Sequence, residues 1–95
     1  MLAFNTPMQS SLQIAKRARS QRLSQNLSRK TLAKISGVSE ASIKRFELTG
    51  QIAFLAILKI AYVLGCMEDF DPLFAPKENV SLEQVLMKER TRGRA

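Results

Sequence analysis

Between Ser39 and Leu48 the chain sets side chains with base-reading chemistry at helical spacing. Glu40, Ala41 and Arg45 share one face, and Ser42 and Lys44 flank them. An arginine fork matches O6 and N7 of guanine, a carboxylate accepts from N4 of cytosine, and an alanine methyl fits against the methyl of thymine. Serine serves either purine or pyrimidine edges. The same residues also have plainer uses. Glu40 stabilises a helix start through the helix dipole, and Arg45 meets a phosphate or water as well as a base.

Other chemistry is poorly supplied. The sequence has no His and no Trp, one Tyr and one Cys. No nucleophile stands near a general base and no glycine-rich phosphate loop is present, so neither catalytic residues nor a cofactor are expected. Glu68, Asp69 and Asp71 are the densest acids. They read as the start and surface of a helix rather than as metal ligands. Cys66 has no second cysteine with which to form a disulfide or a zinc site. With no basic-then-apolar leader, it predicts a small core residue in a reducing cytoplasm. The longest apolar run, Ile52 to Leu64, is broken by Lys59 and falls short of a membrane span.

Charge narrows the partner. The chain of 95 residues carries a net +7, yet ten of its fifteen basic residues lie at or before Lys59, against two of its eight acids. The remainder is nearly balanced. A one-sided positive field suits a polyanion, because each neutralised phosphate releases counterions. A nucleic acid is therefore the expected partner.

Elements that could position the Ser39 to Leu48 segment are legible from caps and breakers. Thr6-Pro7-Met8-Gln9 forms a capping box with proline at the first helical position, predicting a helix with Met8, Leu12, Ala15, Ala18 and Leu23 as its buried stripe. Ser28 caps a short second helix that buries Leu32 and Ile35 and ends at Gly37. Ser39 caps the third after only Val38, so the two helices must meet steeply. Ile43 and Phe46 face inward, and Gly50 ends the third helix. A fourth helix spans about Ala53 to Leu64, and a fifth about Met67 to Phe74. Residues 76–95 read as a linker, a capped amphipathic helix bearing Leu82, Val85 and Leu86, and a basic tail. The expected fold is all-α: a compact five-helix domain over residues 7–75 with a short C-terminal helical extension.

In order, Leu27-Ser28-x-x-x-Leu32-Ala33-x-x-x-Gly37-Val38-Ser39-x-x-x-Ile43-x-x-x-Glu47-x-x-Gly50, followed by Lys59-Ile60-Ala61-x-x-Leu64-Gly65, resembles the Cro and phage-repressor, or XRE-type, helix-turn-helix proteins. The resemblance covers about Arg19 to Phe74. It implies a lambda-repressor-like domain whose third helix enters the major groove. It also implies phosphate contacts at Ser28, Arg29, Ser39 and Lys44, with Lys30 and Arg19 nearby, and an ion pair between Arg22 and Glu47. Double-stranded DNA as the partner, localisation in the cytoplasm on the nucleoid, and a homodimer on a palindromic operator follow from the same resemblance.

Two departures stand out. Arg29, Lys30 and Thr31 replace the polar or acidic residues usual in the second helix. Leu55 and Tyr62, with Leu58 between them, leave an apolar face on the fourth helix. Its cover is either the chain's own Leu82, Val85 and Leu86 segment or a second protein. The capped helix and Arg-rich tail also resemble antitoxins that accompany HipA-type kinases, which implies a toxin partner as an alternative to a free-standing repressor. A further alternative is an adaptor that binds DNA without reading its sequence.

Overall fold

The computed structural model describes residues 5–77, which are all-helical. Four α-helices follow one another: α1 (Pro7–Ser24), α2 (Arg29–Ser36), α3 (Glu40–Thr49) and α4 (Phe54–Leu64). A single 3-10 turn, Met67–Asp69, completes the described chain. No strand occurs among the described residues.

Short-range polar chemistry sets where the first three helices begin. The Thr6 hydroxyl accepts from the Gln9 amide at 3.1 Å while Gln9 Oε1 accepts from the Thr6 amide at 2.9 Å. These bonds satisfy two amides that the helix itself cannot. Ser28 Oγ accepts from the Thr31 amide at 3.0 Å and Ser39 Oγ from the Ser42 amide at 3.1 Å. Ser39 caps α3 as its residue type predicts, and the helix runs one residue past Leu48.

The core sits where α2, α3 and α4 meet. Leu32, Val38, Ile43, Ile60 and Leu64 form one buried cluster, with Ala33, Ile52 and Ala56 packed at its edge. Val38, in the three-residue link between α2 and α3, plugs this cluster, so the turn is held from below as well as by its caps. Phe46, on the inner face of α3, and Ala15, in the middle of α1, are almost wholly buried. α3 and α4 lie at 96° to each other. Gln25 Nε2 donates to the Leu64 carbonyl at 2.8 Å, tying the end of α1 to the end of α4.

Several sequence expectations are corrected. The fifth helix from Met67 to Phe74 does not form: beyond the 3-10 turn the backbone is irregular, so the described chain has four helices rather than five. Pro72 offers no amide and disfavours helix at Asp71 before it, and Phe74 takes a left-handed φ of 63°. Met8 and Leu23 are largely exposed rather than part of the buried stripe. α1 has 18 residues and is thus about 27 Å long, whereas the 10-residue α3 against which it chiefly packs is about 15 Å. The ends of α1 therefore overhang. Ile35, in the last turn of α2 just before the chain turns away at Gly37, is also exposed. Cys66 is half-buried rather than a full core residue. Leu82, Val85, Leu86 and the basic tail lie outside the described residues.

Among the described residues no single helix is long and apolar enough to cross a membrane, although the bent pair α3 and α4 together meet the length and composition requirement.

Candidate nucleic-acid interface

α3 has two unlike sides. Ile43, Phe46 and Glu47 are buried, whereas Glu40, Ala41, Ser42, Lys44, Arg45 and Leu48 are exposed. This division follows from helical periodicity: an inner stripe three and four residues apart leaves the positions between it facing away from the core. The structure thus brings Glu40, Ala41, Ser42, Lys44 and Arg45 together on the outer side of one helix. Leu48, four residues after Lys44, shares that side. Sequence reading passed over it, although its spacing from Ala41 and Lys44 was visible.

The starts of α2 and α3 present amide groups on either side of the turn at Gly37. Ser28 and Ser39 spend their hydroxyls locally: each accepts from an amide and donates to a neighbour, Ser28 to Thr31 Oγ1 at 3.0 Å and Ser39 to Ser42 Oγ at 2.8 Å. Their service to an anion would come through the backbone amides that follow them, which are unsatisfied within a helix. Lys30 and Lys44 are exposed.

Arg29 is half-buried, and its Nε donates to Glu47 Oε1 at 2.9 Å. Glu47 is the hub of a polar cluster at the junction of α1, α2 and α3. Arg22 grips it with Nε at 2.7 Å from Oε2 and Nη2 at 3.0 Å from Oε1, and donates its third N–H, Nη1, to the Leu27 carbonyl at 2.8 Å. Arg19 approaches Oε1 at 4.0 Å. The side chains of Arg22 and Glu47 keep only 6% and 2% exposure, so both charges are withdrawn from water. One carboxylate against three guanidinium groups leaves this junction net positive. Glu47 therefore holds α3 to α1 and α2 without setting a bare negative charge toward an approaching polyanion.

Burial alone pushes the Glu47 carboxyl up. Hydrogen bonds from Arg22 and Arg29, aided by their charges, outweigh it and hold the group below its ordinary value of 4.5. Because the folded value is depressed, the stabilisation is fully present above the unfolded value and is lost as pH falls through the folded one. Thermal unfolding followed from about pH 6 to about pH 3 is expected to show a midpoint that drops more steeply in wild type than in Glu47→Gln. The variant starts lower and lacks this proton. Equal slopes would show that the carboxylate does not titrate as described.

Arg45 is restrained from beyond the helix. Its Nη2 donates to Gln51 Oε1, and Thr49 Oγ1 donates to the Arg45 carbonyl at 2.7 Å. Gln51 was not singled out from sequence, since it lies beyond Gly50 and outside the helical pattern. Only the return of the chain after Gly50, at φ 78°, brings it beside Arg45.

The fourth helix leaves Leu55 and Tyr62 well exposed and Leu58 half-buried. Ile35 joins them, and with Leu58, Tyr62, Val63 and Met67 it lines an open apolar groove between α2 and α4. Burial, then the charges of Asp69 and Glu68, push the Cys66 thiol above its ordinary value, which keeps it protonated and a poor nucleophile. Among the described residues no three His, Cys, Asp or Glu side chains gather as a metal site.

No family model matches the chain, and no curated protein matches it either.

Proposed function

We propose that the protein is a sequence-specific DNA-binding regulator of the helix-turn-helix kind, which lays the outer face of α3 in the major groove of an operator. The observation that carries this is the two-sidedness of α3: donors, acceptors and a methyl stand together on the exposed side of a helix anchored from behind. Glu40, Ala41, Ser42 and Arg45 would read base edges. Lys30, Lys44 and the amides at the starts of α2 and α3 would hold phosphates, which fix register without reading sequence. The concentration of positive charge before Lys59 supports a polyanionic partner. This manner of binding is that of the XRE-type proteins whose residue pattern the chain resembles.

A single recognition helix reaches only a few base pairs, so two copies on an inverted repeat would multiply specificity. The exposed Leu55 and Tyr62 on α4, together with Leu58, supply an apolar face for such pairing.

Selection of binding sites from randomised duplex DNA tests the reading. Wild type is expected to enrich inverted repeats bound ~10³-fold or more above random sequence. Arg45→Ala is expected to erase preference for guanine at one position of each half-site. That loss amounts to about 1–3 kcal/mol, or roughly 5- to 150-fold, in discrimination. Binding that weakens with salt but enriches no sequence would point instead to a non-specific adaptor.

A further inference from the structure

We propose that Gln51 is a positioning residue for base recognition: it fixes the Arg45 guanidinium at the end of the α3 face without cancelling its charge. This rests on the reading of α3 as the helix that enters the groove.

Three observations converge on the pair. Gln51 Oε1 accepts from Arg45 Nη2. The loop bearing Gln51 is registered to Arg45 through its backbone, because Thr49 Oγ1 donates to the Arg45 carbonyl at 2.7 Å and accepts from the Gln51 amide at 3.1 Å. Ser42, Arg45 and Gln51 border a small cleft floored by Ile52, Ala53 and Ala56, none of which carries charge.

The chemistry of the restraint matters. An arginine offers five N–H donors, and one given to an amide oxygen leaves four for a base or a phosphate. A carboxylate in the same place would orient the guanidinium but neutralise it. Among the described residues every ion pair converges on Glu47, so Arg45 is held by a neutral partner only. A long side chain must surrender its rotamer freedom when it meets a base, and a neutral restraint removes part of that loss before binding. Gly50, by turning the chain back, is what places Gln51 within reach.

The test compares wild type, Arg45→Ala, Gln51→Met and Gln51→Glu in selection from randomised duplex DNA, with thermal midpoints measured alongside. Gln51→Met keeps the length of the side chain and removes the acceptor. It is expected to weaken guanine preference at the Arg45-dependent position by about 3- to 10-fold while its thermal midpoint stays with wild type. Gln51→Glu restores the acceptor and is expected to recover that preference. Its overall affinity falls, and its salt dependence is shallower by about one phosphate equivalent. If Arg45→Ala loses the preference and Gln51→Met retains it in full, the positioning role is wrong and the reading of α3 stands. If wild type enriches nothing, or Arg45→Ala changes no position, the reading of α3 is wrong and the role of Gln51 goes with it.

Discussion

Glu47→Ala is expected to lower stability by about 3–5 kcal/mol, enough to unfold much of a domain whose whole stability is about 5–15 kcal/mol. The magnitude comes from what is left behind rather than from what is removed. Arg22 is almost entirely withdrawn from water, and its Nε and one terminal nitrogen both aim at the missing carboxylate. Stranding that guanidinium costs far more than the intact pair contributes, because desolvation of both charges offsets most of their attraction. Arg29 would lose its inward partner as well. Glu47→Gln should cost less, since the amide oxygen still accepts one of the bonds. Chemical denaturation of the two variants checks the order. Glu47→Ala within about 1 kcal/mol of wild type, the ceiling for an exposed surface pair, would show that the cluster is solvated in solution and does not tie α3 to α1.

Gly50→Ala is the second large effect, expected to cost about 2–5 kcal/mol from two separate sources. At φ 78° an added Cβ meets left-handed backbone strain of about 1–2 kcal/mol. It would also stand 2.6 Å from Ser11 Oγ, 2.9 Å from the Ser11 carbonyl carbon and 3.0 Å from the Leu12 amide nitrogen. A serine hydroxyl can swing aside; the backbone of α1 cannot. Overpacking of this kind adds about 1–3 kcal/mol. Gly37→Ala isolates the first source, because at φ 79° its Cβ would meet nothing within 4 Å. A thermal midpoint for Gly50→Ala about 10 °C or more below that of wild type, with Gly37→Ala markedly less affected, is the expected pattern. Equal losses would mean that α1 does not approach the end of α3 as closely as described.

These two residues show what is and is not legible in the sequence. Caps were legible: Thr6 with Gln9, Ser28 and Ser39 act on amides two or three residues away, so residue type at fixed offset nearly determines the bond. Gly37 and Gly50 were legible as helix ends for the same local reason. The two sides of α3 followed from periodicity alone, and with them the grouping of Glu40, Ala41, Ser42, Lys44 and Arg45.

What failed depended on distant chain. The close approach of Ser11 to Gly50 bridges helices that no local pattern connects. The bond from Arg29 to Glu47 joins residues 18 apart in sequence, which no local pattern connects. Ile35 and Met8 satisfy an amphipathic pattern, yet whether a stripe is covered depends on where the partner helix stops. The missing fifth helix has a local cause: Pro72 offers no amide and disfavours helix at Asp71 before it.

The central claim is that the outer face of α3, with the helix starts at Ser28 and Ser39, is the surface that meets DNA. Titrating isotope-labelled protein with duplex DNA while following backbone amide resonances tests it most directly. The predicted result is shifts concentrated at residues 28–31 and 39–45, with Gln51 following Arg45. Shifts confined to the outer side of α1 or to the α4 face of Leu55 and Tyr62, with the amides of α3 unmoved, would contradict it.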